Sequence, residues 1–278
     1  MRSETPFGRG MRLLAAGCYA DGWPLYEARR QFMTPPPPTP IAAQPEWTGE
    51  PLQGRRIVVC AEQGWGDQLM FGRYLAQLRD QGAEVVVACH PFVIGRFFAS
   101  LGYVVSPFFV DRPVYGGDYW TLIGSLPLRL GAGAPALPAY RPIDVPREGG
   151  VGIVTRGSPT HWNDANRSLP PAVAEQLLAL GQDLSPEATG AHDLLHTAEL
   201  MARLDLIITV DTAAAHLAGS IGKDCWVLLP YSGLDWRWGD GVRSDWYPGM
   251  RLFRQPAPGD WDAVLDAVVA ALAERLPH

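Results

Sequence analysis

Short, unbroken apolar runs alternate with amphipathic stretches along most of this chain. Arg56–Cys60, Glu84–Cys89, Val151–Thr155, Leu206–Val210 and Cys225–Leu229 each hold a compact apolar block, and Tyr103–Val105, Tyr119–Ile123 and Arg251–Phe253 are weaker versions. Such blocks predict strands covered on both faces, the mark of a parallel sheet. Between them, Asp67–Arg79 places Met70, Phe71, Tyr74, Leu75 and Leu78 at helical spacing. Phe92–Leu101, Pro171–Leu180, Thr197–Leu204, Ala213–Ile221 and Trp261–Arg275 predict further helices, with a shorter one over Ser125–Leu130. Upstream, Met11–Tyr19 and Pro24–Phe32 read as short helical pieces.

Proline divides this pattern. Pro35–Pro40 holds five prolines in six positions and predicts an extended linker. A second proline-rich joint, Pro135–Pro146, separates two strand–helix series. The expected organisation is a helical segment over 1–34, a linker over 35–50, and two Rossmann-like domains over 51–146 and 147–278, facing each other across a cleft. Gly181–His192 is polar and turn-rich, so the second sheet is expected to lack a strand there.

Composition narrows the function. Of 278 residues, 47% are hydrophobic and 19% charged, enough to build a core. A net charge of −6 without any basic run argues against a nucleic-acid partner. No apolar run approaches the roughly 20 residues of a membrane span, and no secretory signal opens the sequence. A cytoplasmic, bacterial protein is expected, with peripheral membrane association left open. Cys18, Cys60, Cys89 and Cys225 form no CxxC pair, and the last three fall in strand-like runs, which predicts buried thiols. One lysine, Lys223, stands against 22 arginines, a skew that fits a GC-rich genome.

Three polar clusters follow strand ends, and a fourth lies in a later loop. Glu62-Gln63-Gly64-Trp65-Gly66-Asp67 has two glycines that let backbone approach a ligand. Leu69 stands where a dinucleotide fingerprint needs its third glycine. Asp67 reads either as a helix cap or as a general base. Asp211-Thr212-Ala213-Ala214-Ala215-His216 begins a helix with a capping threonine and small residues, suited to a diphosphate at the helix start, with His216 one turn in. Arg156 to Ser168 is rich in donors, among them Arg156, Asn163 and Arg167, with Ser168 as a cap for the following helix. Asp235-Trp236-Arg237-Trp238 places aromatics beside charges, suited to stacking on a ring or to packing a loop. No nucleophile-elbow, P-loop or metal-ligand signature is present, so neither a cofactor nor a metal is expected.

In order, these segments resemble the heptosyltransferase-like glycosyltransferases (glycosyltransferase family nine), and more closely the bacterial glycosyltransferase domains that follow tetratricopeptide repeats. The resemblance runs from Trp47 to Gln255. It includes Trp47-Thr48-Gly49-Glu50 and Trp246-Tyr247-Pro248, and Gly22-Trp23-Pro24-Leu25-Tyr26-Glu27 is similar to the remnant of a repeat helix. It implies an α/β, GT-B-like fold and metal-independent, inverting transfer from a nucleotide-sugar donor to a hydroxyl of a glycan or protein acceptor. Asp67 then matches the base. Asp211, Thr212, Ala213, Ala214 and His216 match the donor diphosphate site, with Ala213 in place of the family glycine; no expected position supplies a lysine, which leaves Arg156 or Arg167 to neutralise phosphate. Glu62, Gln63, Gly64, Gly66, Asn163, Arg167, Asp235 and Trp236 are expected to meet acceptor or sugar. The rival expectation is a non-catalytic sugar-nucleotide-binding or scaffold protein whose N-terminal helix packs on a partner or a second copy.

Overall fold

A computed structural model describes residues 4–32, 44–107, 116–132, 140 and 143–275. The proline run at 35–40 and most of the joint at 135–146 lie outside them. The chain divides into two compact units, Met1–Arg141 with Asp193–Leu195, and Pro142–His192 with His196–His278.

The first unit holds a four-stranded parallel sheet in the order β3-β2-β1-β4, made of β1 (Arg56–Cys60), β2 (Glu84–Cys89), β3 (Val104–Pro107) and β4 (Tyr119–Leu122). Its helices are α1 (Pro6–Ala15), α2 (Tyr19–Tyr26), α3 (Trp65–Gly72), α4 (Leu75–Asp80), α5 (Arg96–Ser100) and α6 (Leu126–Arg129). The single helix expected over 67–79 is in fact two. At the join, Arg73 and Tyr74 donate to carbonyls three residues back, so the turn tightens before α4 begins.

The second unit holds a five-stranded parallel sheet in the order β6-β5-β7-β8-β9. Its strands are β5 (Val151–Val154), β6 (Gln182–Asp183), β7 (Leu206–Val210), β8 (Cys225–Leu229) and β9 (Met250–Arg254). Its helices are α7 (Asp164–Arg167), α8 (Pro171–Leu178), α9 (Pro186–Thr189), α10 (Leu194–Arg203), α11 (Ala213–Ser220) and α12 (Trp261–Arg275). The expectation of a missing strand is corrected by β6, which pairs Gln182 with Gly152 and Asp183 with Ile153 at the sheet edge. A two-residue polar edge strand leaves no apolar run to detect. β7 and β8 are buried along their whole length, and Ile208, Val210, Trp226 and Leu228 pack with Trp261, Val264 and Val268 of α12.

The helical segment before the first sheet belongs to the first unit. Gly10 and Gly22 let α1 and α2 cross closely: a Cβ on Gly10 would lie 2.9 Å from the Tyr26 backbone nitrogen. Leu14, Trp23 and Tyr26 are buried, Trp23 Nε1 donates to the Ala132 carbonyl at 3.0 Å, and both rings lie about 6 Å from Phe71 of α3. Leu14, Trp23 and Tyr26 are thus covered by the chain's own first unit. Trp47 continues this attachment along the free edge of β4, its backbone N–H donating to Trp120 at 2.7 Å.

Cys60, Cys89 and Cys225 are buried and Cys18 is exposed. Burial pushes the Cys60 and Cys89 thiols up to about 12, so they stay protonated and unreactive at neutral pH. Lys223 sits just before β8. It donates to the Ala202 carbonyl at 3.3 Å, and partial burial lowers its pKa. Among the described residues no helix is long and apolar enough to cross a membrane.

Replacing Gly10 with leucine forces α1 off Tyr26. The expected loss is about 1–3 kcal/mol, read by urea denaturation, with faster proteolysis before residue 32. Unchanged stability would mean that the crossing is not close in solution.

Candidate functional site

In open α/β sheets ligands sit beyond the carboxyl ends of the strands. The strand orders set which loops meet there. In the first unit β2, β1 and β4 are adjacent, which brings together the loops after Cys89, Cys60 and Leu122.

The loop after β1 enters α3 through Gly64, which is the helix cap. Asp67 is therefore not the cap itself but the third residue of the helix, and its Oδ2 accepts the Gly64 N–H at 3.1 Å. It is half-buried, as is Gly66 beside it, while Gly64 is exposed. Gln63 is the one described non-glycine residue at positive φ, +60°, a conformation that costs about 1–3 kcal/mol. Its side-chain amide meets the Tyr26 hydroxyl, with Nε2 donating at 3.1 Å.

Glu62 departs from expectation. Its carboxylate is fully buried, takes the Arg29 guanidinium at 2.5 Å and accepts the Gly124 N–H at 3.0 Å. It braces the loop rather than meeting an acceptor. Burial raises the Glu62 pKa, against the pull of Arg29 and Gly124, and Arg29 is held firmly charged by Glu62.

At the end of β2 stands a cluster that the sequence reading missed. Trp65 packs edge-on to His90 at 5.6 Å, and His90 to Phe92 at 6.0 Å. Phe92 is 72% exposed, and the buried His90 Nδ1 has no partner among the described residues. Pro91–Gly95 forms a π-helical turn, a geometry frequent at functional sites. The only sequence signal was position, directly after a strand end.

In the second unit β5, β7 and β8 are adjacent, so the loops after Val154, Val210 and Leu229 converge. Thr212 caps α11, its Oγ1 accepting from the Ala214 N–H at 3.2 Å, and Thr212, Ala213 and Ala214 remain partly exposed. It is at this helix start that the sequence reading expects a diphosphate. Arg156 is exposed and pairs with Glu187 at 3.2 Å.

Other predicted contacts turn out to be struts. Arg167 is buried and donates to the Asp211 carbonyl at 2.8 Å and to Asp164 at 3.2 Å, tying the loop after β5 to the loop after β7. Asn163 is buried and donates to the carbonyls of Ser232 and Gly233 at 3.2 and 3.0 Å, tying the loop after β5 to the loop after β8. Ser168 caps no helix start: it ends α7, and its hydroxyl accepts from Gly157.

His216 is buried, with Nδ1 2.9 Å from the Tyr247 hydroxyl and its ring stacked 5.1 Å from Trp238, so it supports the helix rather than facing solvent. Trp236 is buried edge-on to Trp246 at 5.6 Å and offers no open stacking face. Asp235 caps the turn Trp236–Trp238 and pairs with the buried Arg237 at 2.5 Å. Among the described residues no group of three or more His, Cys, Asp or Glu side chains could hold a metal ion.

Two parallel Rossmann-like sheets with their polar loops gathered at the carboxyl ends define an α/β, GT-B-like fold. The chain is similar in structure to the E. coli ADP-heptose lipopolysaccharide heptosyltransferase II, with 14% identity over 79% of this chain and 99% of that one and a TM-score of 0.51. It is likewise similar to the dodecameric iron-containing heptosyltransferase TibC of E. coli, solved with ADP-D-β-D-heptose, with 14% identity over 77% and 66% of the two chains and a TM-score of 0.50. In sequence it is 26% identical over 334 residues to Protein FlbA of Caulobacter vibrioides, across 96% of this chain. It spans about half of that relative, 54% of its length. No family model matches.

Asp211 titrates in the neutral range. Loss of surrounding water, then the nearby Asp235 carboxylate, push it up to about 7, while Arg167 and Arg237 pull the other way. A raised carboxyl pKa stabilises the fold fully below the unfolded value near 3.9, and that contribution is lost as pH rises through about 7. Asp211→Asn, which keeps the neutral shape, should therefore gain stability relative to the parent between pH 5 and pH 8. Urea unfolding of both proteins at the two pH values checks this, and parallel pH profiles would count against it.

Proposed function

We propose that this protein is a glycosyltransferase that moves a sugar from a nucleotide-sugar donor to a hydroxyl of a glycan or protein acceptor, without a metal and with inversion at the anomeric carbon. One observation carries the reading: the Thr212-capped start of α11, open to solvent at the carboxyl edge of a parallel sheet, in a chain with the fold of heptosyltransferases. First-turn N–H groups and the helix dipole attract a diphosphate there. Arg156 adds a mobile positive charge, because its ion pair with Glu187 is exposed on both sides and holds it weakly. The solved complex of TibC with ADP-heptose is consistent with a nucleotide-sugar donor.

In this mechanism Asp67 takes the proton of the acceptor hydroxyl. The acceptor oxygen forms a bond to the anomeric carbon as the bond from that carbon to the donor phosphate oxygen breaks. The electron pair leaves on the nucleotide. The start of α11 and Arg156 stabilise the charge that develops on it.

Asp67→Asn is expected to lower turnover by about 10²–10⁴-fold with unchanged donor binding. Turnover near the parent's would remove Asp67 as the base. Donor binding is read first by thermal stabilisation with UDP, GDP, ADP, CDP and CMP, since a ligand that binds only the folded state raises its melting point. One nucleotide should do so, and Thr212→Trp should abolish the shift by filling the cradle. No shift with any of them at millimolar concentration would favour the non-catalytic scaffold.

A further inference from the structure

Among the described residues of the helical segment, Arg29 is the most enclosed cation, 2% exposed. Its guanidinium donates to both oxygens of Glu62, to the Ser125 hydroxyl at 2.9 Å and to Glu27 at 2.5 Å. Glu27 in turn accepts from Ser125 and pairs with Arg30, which reaches Glu46 at 2.5 Å. One turn before Arg29, the Tyr26 hydroxyl meets the side chain of Gln63. Both contacts land on the loop that leads into α3. Arg29 holds Glu62, the residue before the left-handed Gln63, and Tyr26 holds Gln63 itself.

From Gln63 the chain of contacts continues toward Asp67. The Gln63 carbonyl accepts from Gln68 at 3.3 Å, and the Gly64 N–H donates to the Asp67 carboxylate. A left-handed glutamine relaxes unless its neighbours over-determine it. Here the over-determination comes from outside the sheet, from side chains 33 and 37 positions earlier.

We propose that the N-terminal helical segment is a positioning element of the transfer reaction, with Tyr26 and Arg29 fixing the Glu62–Asp67 loop and through it the Asp67 carboxylate. This rests on the reading of Asp67 as the base. Neither residue touches substrate in this account, so both act through the loop. The segment is a working part of the acceptor-side unit, not a handle left behind by a repeat array.

The test uses Tyr26→Phe, which removes one hydroxyl and keeps the buried ring, alongside Arg29→Met and Arg29→Lys in the full chain. Turnover, donor KM, nucleotide-induced thermal shift and amide hydrogen exchange over 62–68 are measured for each. Tyr26→Phe should lower kcat about tenfold, leave donor KM and the thermal shift unchanged, and speed exchange at Gly64. Arg29→Met should do so more strongly, and Arg29→Lys should recover part of the loss because it keeps a charge for Glu62.

The decisive comparison is the double variant. Placed in Asp67→Asn, Tyr26→Phe should change residual turnover less than twofold, since the group it positions is gone. Equal fold-losses in both backgrounds would overturn the proposal, as would parental kcat and exchange in Tyr26→Phe while Asp67→Asn is inactive. Parental turnover in Asp67→Asn would overturn this proposal and the base assignment together. Should Arg29→Met fail to fold, Tyr26→Phe and the exchange data still decide.

Discussion

A carboxylate with no exposure to water must find its counter-charge inside the protein, and Glu62 finds it in Arg29, far back in the chain. That requirement shapes the first unit. It fixes the helical segment against the sheet, because removing Arg29 would strand a buried anion. It also fixes Gly124 and Ser125 at the end of β4, since both bond into the same pair. The loop that follows β1 is thus held from three directions before it turns through Gln63 into α3. The fork of a guanidinium suits this task, as its donors can satisfy two carboxylates and a hydroxyl together.

The second unit solves a similar problem with weaker groups. Its loops are joined by Arg167 to the Asp211 carbonyl and by Asn163 to the carbonyls of Ser232 and Gly233. His216, Tyr247 and Trp238 form an aromatic block behind the start of α11. At the same end the first turn of α11 stays partly exposed and Arg156 exposed, beside the exposed rings of Trp162 and Tyr231. The polar residues that make the sequence look like a binding site are mostly spent on holding the site's walls.

This division explains what was legible in advance. The buried strands were readable because parallel sheets need apolar residues on both faces, and β7 and β8 announce themselves in five consecutive positions each. The capped start of α11 was readable because threonine before small residues has a local physical meaning. The roles of Glu62, Asn163, Arg167 and Trp236 were not, because a polar side chain looks the same in sequence whether it meets a ligand or a distant carbonyl. Tyr26 lies in the stretch that resembles a repeat helix and Arg29 just beyond it, and nothing local to them signals partners beyond the linker. β6 was missed for the opposite reason, being too short and polar to leave a periodicity.

The single lysine has a practical bearing. Lys223 precedes β8, at the amino end of a parallel sheet whose candidate site lies at the carboxyl end, and its lowered pKa leaves more of its amine neutral near pH 9 than an ordinary lysine would have. Apart from the α-amino group, an amine-reactive dye has one place to attach along this sequence. A fluorophore or surface tether placed there would report on the second unit from the edge opposite the one where the donor is proposed to bind.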